Sequence, residues 1–318
     1  MRMAHAGPTS GAWNETRQDM TGALASALSK RGVLRVAGPE ARSFLQGLVT
    51  NNVDLATGMT AIYAALLTPQ GKFLLDFFIA ADPADKDAVL LDCDGARAEA
   101  LMKRLTMYKL RAKVTIEDLS EKLAVLALWN EDGSPLTEGP GFADPRLPGM
   151  GRRAILASGE VGKAISAAKA REAGEDEYHR LRIMHGVGDA AQDFEPDRTF
   201  PLEVNIAELN GIDFHKGCFV GQEVTSRTKR RGSVRKRLLP AHVEGDMPPH
   251  GTQVKGVARE VGTILSGDAE TSRVLALLRL DLIRGSVLEA GYAEIRPEVP
   301  SWLHIDLDGS EEEAADGE

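Results

Sequence analysis

The stretch His215-Lys216-Gly217-Cys218-Phe219-Val220-Gly221-Gln222-Glu223 decides how the rest of the chain is read. It sets one of only two cysteines between two glycines, with Lys216 just before the thiol and Glu223 beyond it. A basic run follows at once: Arg227, Lys229, Arg230, Arg231, Arg235, Lys236 and Arg237. Loops of this kind bring backbone, thiol and cations close to a small anion. The residues from Gln222 onward favour helix, and Glu223 with Arg227 makes an i,i+4 pair. A helix starting near Val220 would place the Cys218 thiol at its positive end. Lys216, and His215 if protonated, would add to that field and make the thiol more reactive. The alternative is a free cysteine packed as a small hydrophobe between Phe214 and Phe219.

Outward from this loop, composition bounds the answer. The 318 residues are 43% hydrophobic and 27% charged, ordinary for a globular protein that can bury a large core. The net charge of −9 does not favour nucleic acid or an anionic membrane as partner. Part of it sits at the end, where Asp306 to Glu318 carries seven acidic residues and no base and reads as a solvated, disordered tail. Two cysteines make no disulfide scaffold and fit a reducing compartment. The first 20 residues read as a flexible tail with no apolar leader, and no run of about 18 apolar residues exists. The expected location is therefore the cytoplasm, and the expected state a monomer.

Element patterns point to an α+β protein. Gly32 to Gly38 reads as a strand, followed by a helix carrying Phe44, Leu45, Leu48 and Val49. Met59 to Leu67 and Lys72 to Ala80 read as a hairpin about a type I turn, Thr68-Pro69-Gln70-Gly71. Ala88 to Cys93, Thr115-Ile116 and Leu123 to Trp129 are further strands, with a helix over Gly95 to Lys109. The Gly/Pro-rich segment Glu131 to Gly151 reads as a connection. Helices are expected over Glu160 to Glu172 and Glu175 to His185, stopped by Gly174 and Gly186. Short apolar runs after Gly232, set at the spacing of short strands, suggest a small all-β domain such as a barrel. The expected division is a tail at 1–20, an α+β region at 21–232, a β-barrel at 233–304 and an acidic tail at 305–318.

Other candidates are weaker. The basic run suits phosphate, a polyglutamate tail or another small polyanion, and it lacks the flanking aromatics that single-stranded nucleic acid needs. Gly186-Val187-Gly188-Asp189-Ala190-Ala191 fits G-x-G-x-x-A but follows a helix, the wrong context for a dinucleotide. Asp76 stands in the apolar strand Phe73 to Ile79, facing either solvent or a ligand. A metal site is not expected, since His215 and Cys218 fall short of three or four ligands and His179 and His185 are wrongly spaced for one helical face.

Lys216 to Glu223 resembles the K-G-C-[YF]-x-G-Q-E signature of the YgfZ-type folate-binding proteins, with Arg227 matching the arginine that follows it. Phe44-Leu45-Gln46-Gly47, Thr50-Asn51, Pro69-Gln70-Gly71-Lys72, Leu181-Arg182-Ile183 with Gly186, and Phe200-Pro201 with Glu203 and Asn205 resemble the same family. That family is similar in fold to the aminomethyltransferase of the glycine cleavage system. The resemblance implies two interlocked α+β modules around a central folate cleft, plus a C-terminal β-barrel. It implies a tetrahydrofolate-binding accessory factor for assembly or repair of iron–sulfur proteins, especially [4Fe–4S] ones, partnered by client or assembly proteins. Cys218 would be the functional thiol, with Lys216, Gln222, Glu223, Arg227 and Arg231 around it as folate-binding residues. The other reading is a folate-dependent aminomethyltransferase using Asp76. Two departures bear on that choice. Met184 stands where aminomethyltransferases have a pterin-contacting glutamate, and Leu75-Asp76 where they have paired aspartates.

Overall fold

The computed structural model describes residues 22–232, 234–257, 259–284 and 287–305. The expected N-terminal tail, and all of the acidic tail but Ile305, lie outside the described residues.

Two five-stranded sheets and a closed six-stranded barrel carry the chain. The first strand, Ala23–Ala27, pairs with Leu123–Asn130, far downstream. Between them the chain builds a complete second sheet in the order Ile62–Leu67, Phe73–Ala81, Ala88–Asp94, Arg31–Ala37, Thr115–Asp118. The first sheet is then finished by Arg152–Ala157, Phe142–Ala143 and Arg171–Glu172. One module is thus threaded through the other, which is the expected interlocking.

The second sheet is sided. Leu75, Phe77 and Ile79 pack under the helices Ala41–Gln46 and Ala98–Lys109 in one buried cluster with Leu45, Leu101 and Leu105. Asp76 and Phe78 alternate onto the other face, because side chains on a strand have a period of two. Asp92 sits directly across from Phe78 in the antiparallel pairing, and Val33 across from Asp92. That face meets the first sheet in a core containing Tyr63, Phe78, Val125 and Trp129.

The barrel closes in the order Lys236–Glu244, Arg273–Arg279, Glu260–Asp268, Gln253–Lys255, Leu288–Ala290, Ala293–Pro297. It encloses its own apolar core. Closure leaves no exposed sheet edge, which short strands in a small β-domain otherwise have to protect.

Several expected elements differ in extent. The helix anticipated over Glu160 to Glu172 is only Val161–Ala167, and Arg171–Glu172 is instead an edge strand held by the parallel partner Leu24–Ala25. Gly174 is therefore not a helix stop. It is the N-cap of the next helix, Glu175–Met184, where Glu177 accepts from the Gly174 N–H at 3.2 Å. Ala23–Ala27 and Arg152–Ala157 carry no strict alternation and were not anticipated as strands; sheet pairing over long sequence distance supplies them.

Candidate functional site

Three of the segments that resemble the family pack around the Cys218 loop: the end of Phe44-Leu45-Gln46-Gly47, Thr50-Asn51, and the Pro69-Gln70-Gly71 turn. The helix that follows it spans Gln222–Arg231 and is capped by Gly221 at φ +84°. A Cβ on Gly221 would meet the Thr68 carbonyl oxygen at 2.6 Å and the Gly71 Cα at 3.0 Å. A Cβ on Gly71, itself at φ +73°, would meet the Val224 Cβ at 3.0 Å. The turn of the Pro69-Gln70-Gly71 hairpin thus seats the start of the signature helix, and both positions need glycine for space and for dihedral.

On the other side of the thiol, the Lys216 ammonium donates to the Gln46 and Val49 carbonyl oxygens, each at 2.6 Å. These carbonyls lie at the end of the helix Ala41–Gln46, where backbone acceptors lack intrahelical partners. Burial pushes the Lys216 amine down to about 8, with Asp213 and Asp54 opposing. The approach to the loop is fixed by Thr50, whose hydroxyl donates to Gly211 O at 2.6 Å, and by Asn51, which donates to Tyr63 O and Asn210 O at 2.7 Å each. The loop between these anchors carries the Cys218 thiol exposed, while Phe219 is buried in the core behind it. Cys218 is therefore not a packed hydrophobe. Cys93 is the buried one, its thiol pushed up to about 12 chiefly by burial.

The helix begins at Gln222, later than expected, and the Lys216 ammonium is spent on carbonyls rather than turned to the thiol. Gln222 and Glu223 line a shallow groove of ≈ 630 Å³ with Phe214, Ser226, Lys229 and Arg230. Arg227 is paired with Glu223 at 2.5 Å, both exposed, and Arg231 lies exposed in the last turn.

Asp76 belongs to a different place. It lines a cavity of ≈ 710 Å³ formed between the second sheet, the strand Arg152–Ala157, the helix Glu175–Met184 and the loop at 188–192. Phe78 lies at its wall, with the guanidinium carbons of Arg153, Arg146 and Arg31 at 4.1, 4.8 and 5.8 Å from the ring centroid. Asp92, fully buried, bridges two of them: it accepts from Arg31 Nε at 2.5 Å and from Arg153 Nη2 at 2.6 Å. Burial alone would raise its carboxyl, but Arg153 and Arg31 outweigh that and hold it below the ordinary value. Asp144 takes Arg146 through two hydrogen bonds of 3.0 and 2.7 Å. Asp76 accepts the Tyr63 hydroxyl at 2.8 Å, and burial raises its carboxyl despite Arg31 and Tyr63 nearby. Burial would raise the Asp189 carboxyl, but Arg182, the Ala191 N–H, Arg31 and the Gln192 amide together hold it below the ordinary range. Cations stacked on an aromatic ring beside carboxylates of different proton affinity suit a flat ligand carrying both donors and acceptors.

The two sets of expected site residues are thus in different places. Lys216, Cys218, Gln222, Glu223, Arg227 and Arg231 lie along one loop and the helix that follows it, and none of them lines the cavity; Asp76 lines the cavity without them. The interlock of Gly221 with Gly71 is what directs the signature helix onto the hairpin turn, so its arginines are not aimed into the cavity. Met184 also lies outside the lining and is 42% exposed. Sequence reasoning missed Arg31, Arg146, Arg153, Tyr178 and Asp92. Asp92 carried the same signal as Asp76, a carboxylate inside an apolar strand. Gly188 and Asp189, set aside as a poor dinucleotide motif, turn out to line the cavity.

A family profile of the GCVT N-terminal domain matches residues 11–130, and one of the CAF17 C-terminal β-barrel domain matches residues 235–305. The mitochondrial iron–sulfur cluster assembly factor IBA57 of Mus musculus is 34% identical over 306 residues, covering 86% of this chain and 84% of that protein. Its Homo sapiens counterpart is 33% identical, with 86% and 84% covered. The Mycosarcoma maydis homologue is 37% identical over 233 residues, but that match spans only 57% of its length. Among solved structures, the glycine cleavage system aminomethyltransferase T from Bartonella henselae superposes with a TM-score of 0.69 at 15% identity, over 88% of this chain and 86% of that one. The fold is thus the expected α+β one with a C-terminal β-barrel, which closes with six strands. The expected cytoplasmic location is overturned, because these relatives are mitochondrial by name. It rested on free cysteines and on the lack of an apolar leader. Neither criterion separates one reducing compartment from another, and mitochondrial targeting segments are amphipathic rather than apolar.

Proposed function

Because the chain belongs to the IBA57 family of iron–sulfur cluster assembly factors, we propose that it serves iron–sulfur proteins, [4Fe–4S] ones especially, as a tetrahydrofolate-binding accessory factor. In this reading its signature is the one shared with YgfZ-type proteins, and Cys218 is the thiol that meets a cluster or a client. The observation that carries it is the exposure of Cys218 on a loop clamped by Lys216 on one side and by Gly221 on Gly71 on the other. An exposed thiol on a fixed loop is available to a partner without unfolding anything. One thiolate does not hold a cluster, which takes four ligands, so the remaining ligands would come from the partner. Lys229, Arg230 and Arg231 on the adjoining helix give that partner a basic surface to meet. The folate belongs in the cavity with Asp76, and its volume falls within the range of about 300–1,000 Å³ usual for small-molecule sites. Replacing Cys218 by Ser in cells lacking the native protein should depress [4Fe–4S] enzyme activities while leaving the purified protein as stable as before. Undiminished activities would remove the thiol from the function.

A second reading has its own observation. The Asp76 carboxyl is buried, raised and hydrogen-bonded to Tyr63, a setting that suits a carboxylate exchanging a proton with a one-carbon carrier. It predicts turnover of methylene- or aminomethyl-tetrahydrofolate by the purified chain, abolished by Asp76→Asn. No turnover by the unaltered protein would leave the accessory role alone.

A further inference from the structure

The donors and acceptors left over in the cavity define which edge of a ligand it can read. The Tyr178 phenol oxygen accepts from Arg146 Nη2 and from Arg153 Nη1, each at 2.9 Å. A phenol offers one O–H and two lone pairs. With both lone pairs taken by guanidinium donors, the O–H is left to donate, and no acceptor for it is found among the described residues. Tyr178 lines the cavity, and its ring is fixed against Trp129 at 5.5 Å between centroids. Arg146 uses Nε and Nη2 on Asp144 and Tyr178, and Arg31 uses Nε and Nη2 on Asp92. The Nη1 groups of both make no hydrogen bond among the described residues, and both arginines line the same cavity. Acceptors are present too. Asp76 takes the Tyr63 hydroxyl on Oδ2 only, and Asp189 takes Ala191 N–H and the Gln192 amide, one on each oxygen, which leaves lone pairs over.

Donors are therefore gathered at Tyr178, Arg146 and Arg31, and acceptors at Asp76 and Asp189. The matching ligand edge is a ring carbonyl beside N–H groups, as in a cyclic amide carrying an amino group. Resting on the folate reading above, we infer that Tyr178 is a specificity-determining residue that donates to the C4 carbonyl of a 4-oxo pterin, while Asp76 and Asp189 accept from its N3–H and 2-amino group. A 4-amino pterin places N–H donors where the carbonyl stood. It leaves the Tyr178 O–H unpaired and sets donor against donor, and a site built on such a hydrogen bond discriminates strongly against an analogue that cannot make it.

The test is calorimetric titration of the full chain with folic acid and aminopterin, which differ in this respect at C4, and with the tetrahydro form of each. The 4-oxo member should bind at least about tenfold more tightly, and in Tyr178→Phe that preference should shrink by about tenfold. Tyr178→Phe keeps the ring against Trp129 and leaves Arg146 and Arg153 on Asp144 and Asp92, and a melting curve checks that it is folded. The preference of the unaltered protein is itself decisive, whatever the variant does. Equal affinity for the two members, or an undiminished preference in folded Tyr178→Phe, overturns the assignment of Tyr178 while leaving the folate reading intact. Binding of neither member in either oxidation state overturns the folate reading and this inference together.

Discussion

Around the cavity, the strong contacts join charged side chains: Asp92 to Arg31 and Arg153, Asp144 to Arg146, and Arg182 to Asp193 at 2.7 Å. Around Cys218 the holding contacts are to backbone: the Lys216 ammonium on two carbonyls, the Thr50 and Asn51 side chains on three more, and Gly221 against Gly71. The difference follows from what each region must present. A buried cavity has to neutralise its own charges before it can offer any to a ligand, since an unpaired buried charge is costly. A surface loop that displays a thiol needs only a fixed course, and backbone contacts give that without occupying the side chain on display.

The contrast can be broken experimentally, and the largest effect is expected in the cavity. Asp92→Ala strands two buried guanidinium groups at once and should lower the unfolding free energy by about 3–5 kcal/mol in urea denaturation. A loss below about 1 kcal/mol would mean that water or a shifted carboxylate replaces it and that the network is not what holds the two sheets together. Gly221→Ala tests the backbone side. It forces a Cβ onto the Thr68 carbonyl at positive φ and should cost about 1–3 kcal/mol. The rate at which Cys218 is alkylated should change with it, because the loop shares that anchor; an unchanged rate would detach the thiol's presentation from the hairpin turn.

The smallest effect is the most specific. Burial lowers the Lys216 amine from an ordinary 10.5 to about 8 in the folded chain. Between those two values the unfolded chain binds more protons than the folded one, so stability rises as pH rises through this window and is flat below it. Comparing unfolding of the unaltered protein with Lys216→Met from pH 7 to 10.5 should reveal this rise in the former only. Parallel curves would show that Lys216 is solvated and not buried against the carbonyls of Gln46 and Val49.

Much of the fold was legible along the chain because its signals are local. Strand and helix periods located Arg31–Ala37, Phe73–Ala81 and Ala98–Lys109, and Pro69 with Gly71 marked the hairpin turn. The short apolar runs after Gly232 marked the barrel. The signature was legible as well, as a string of residue types. Its role for Lys216 was not, because the ammonium meets carbonyls 167 and 170 residues away, and nothing near Lys216 names them.

The sequence by itself determined the kinds of element, the glycines that one tight junction requires, and the identity of the thiol on the signature loop. Each of these depends on a residue and its near neighbours, through side-chain period, φ preference or residue chemistry. Only the tertiary structure decided that Cys218 and Asp76 stand in separate places, and that three arginines surround Phe78. Arg31 and Arg153 each stand 61 residues from Asp92 along the chain. They meet because the second sheet is built inside the first, and no local rule relates residues brought together by that threading.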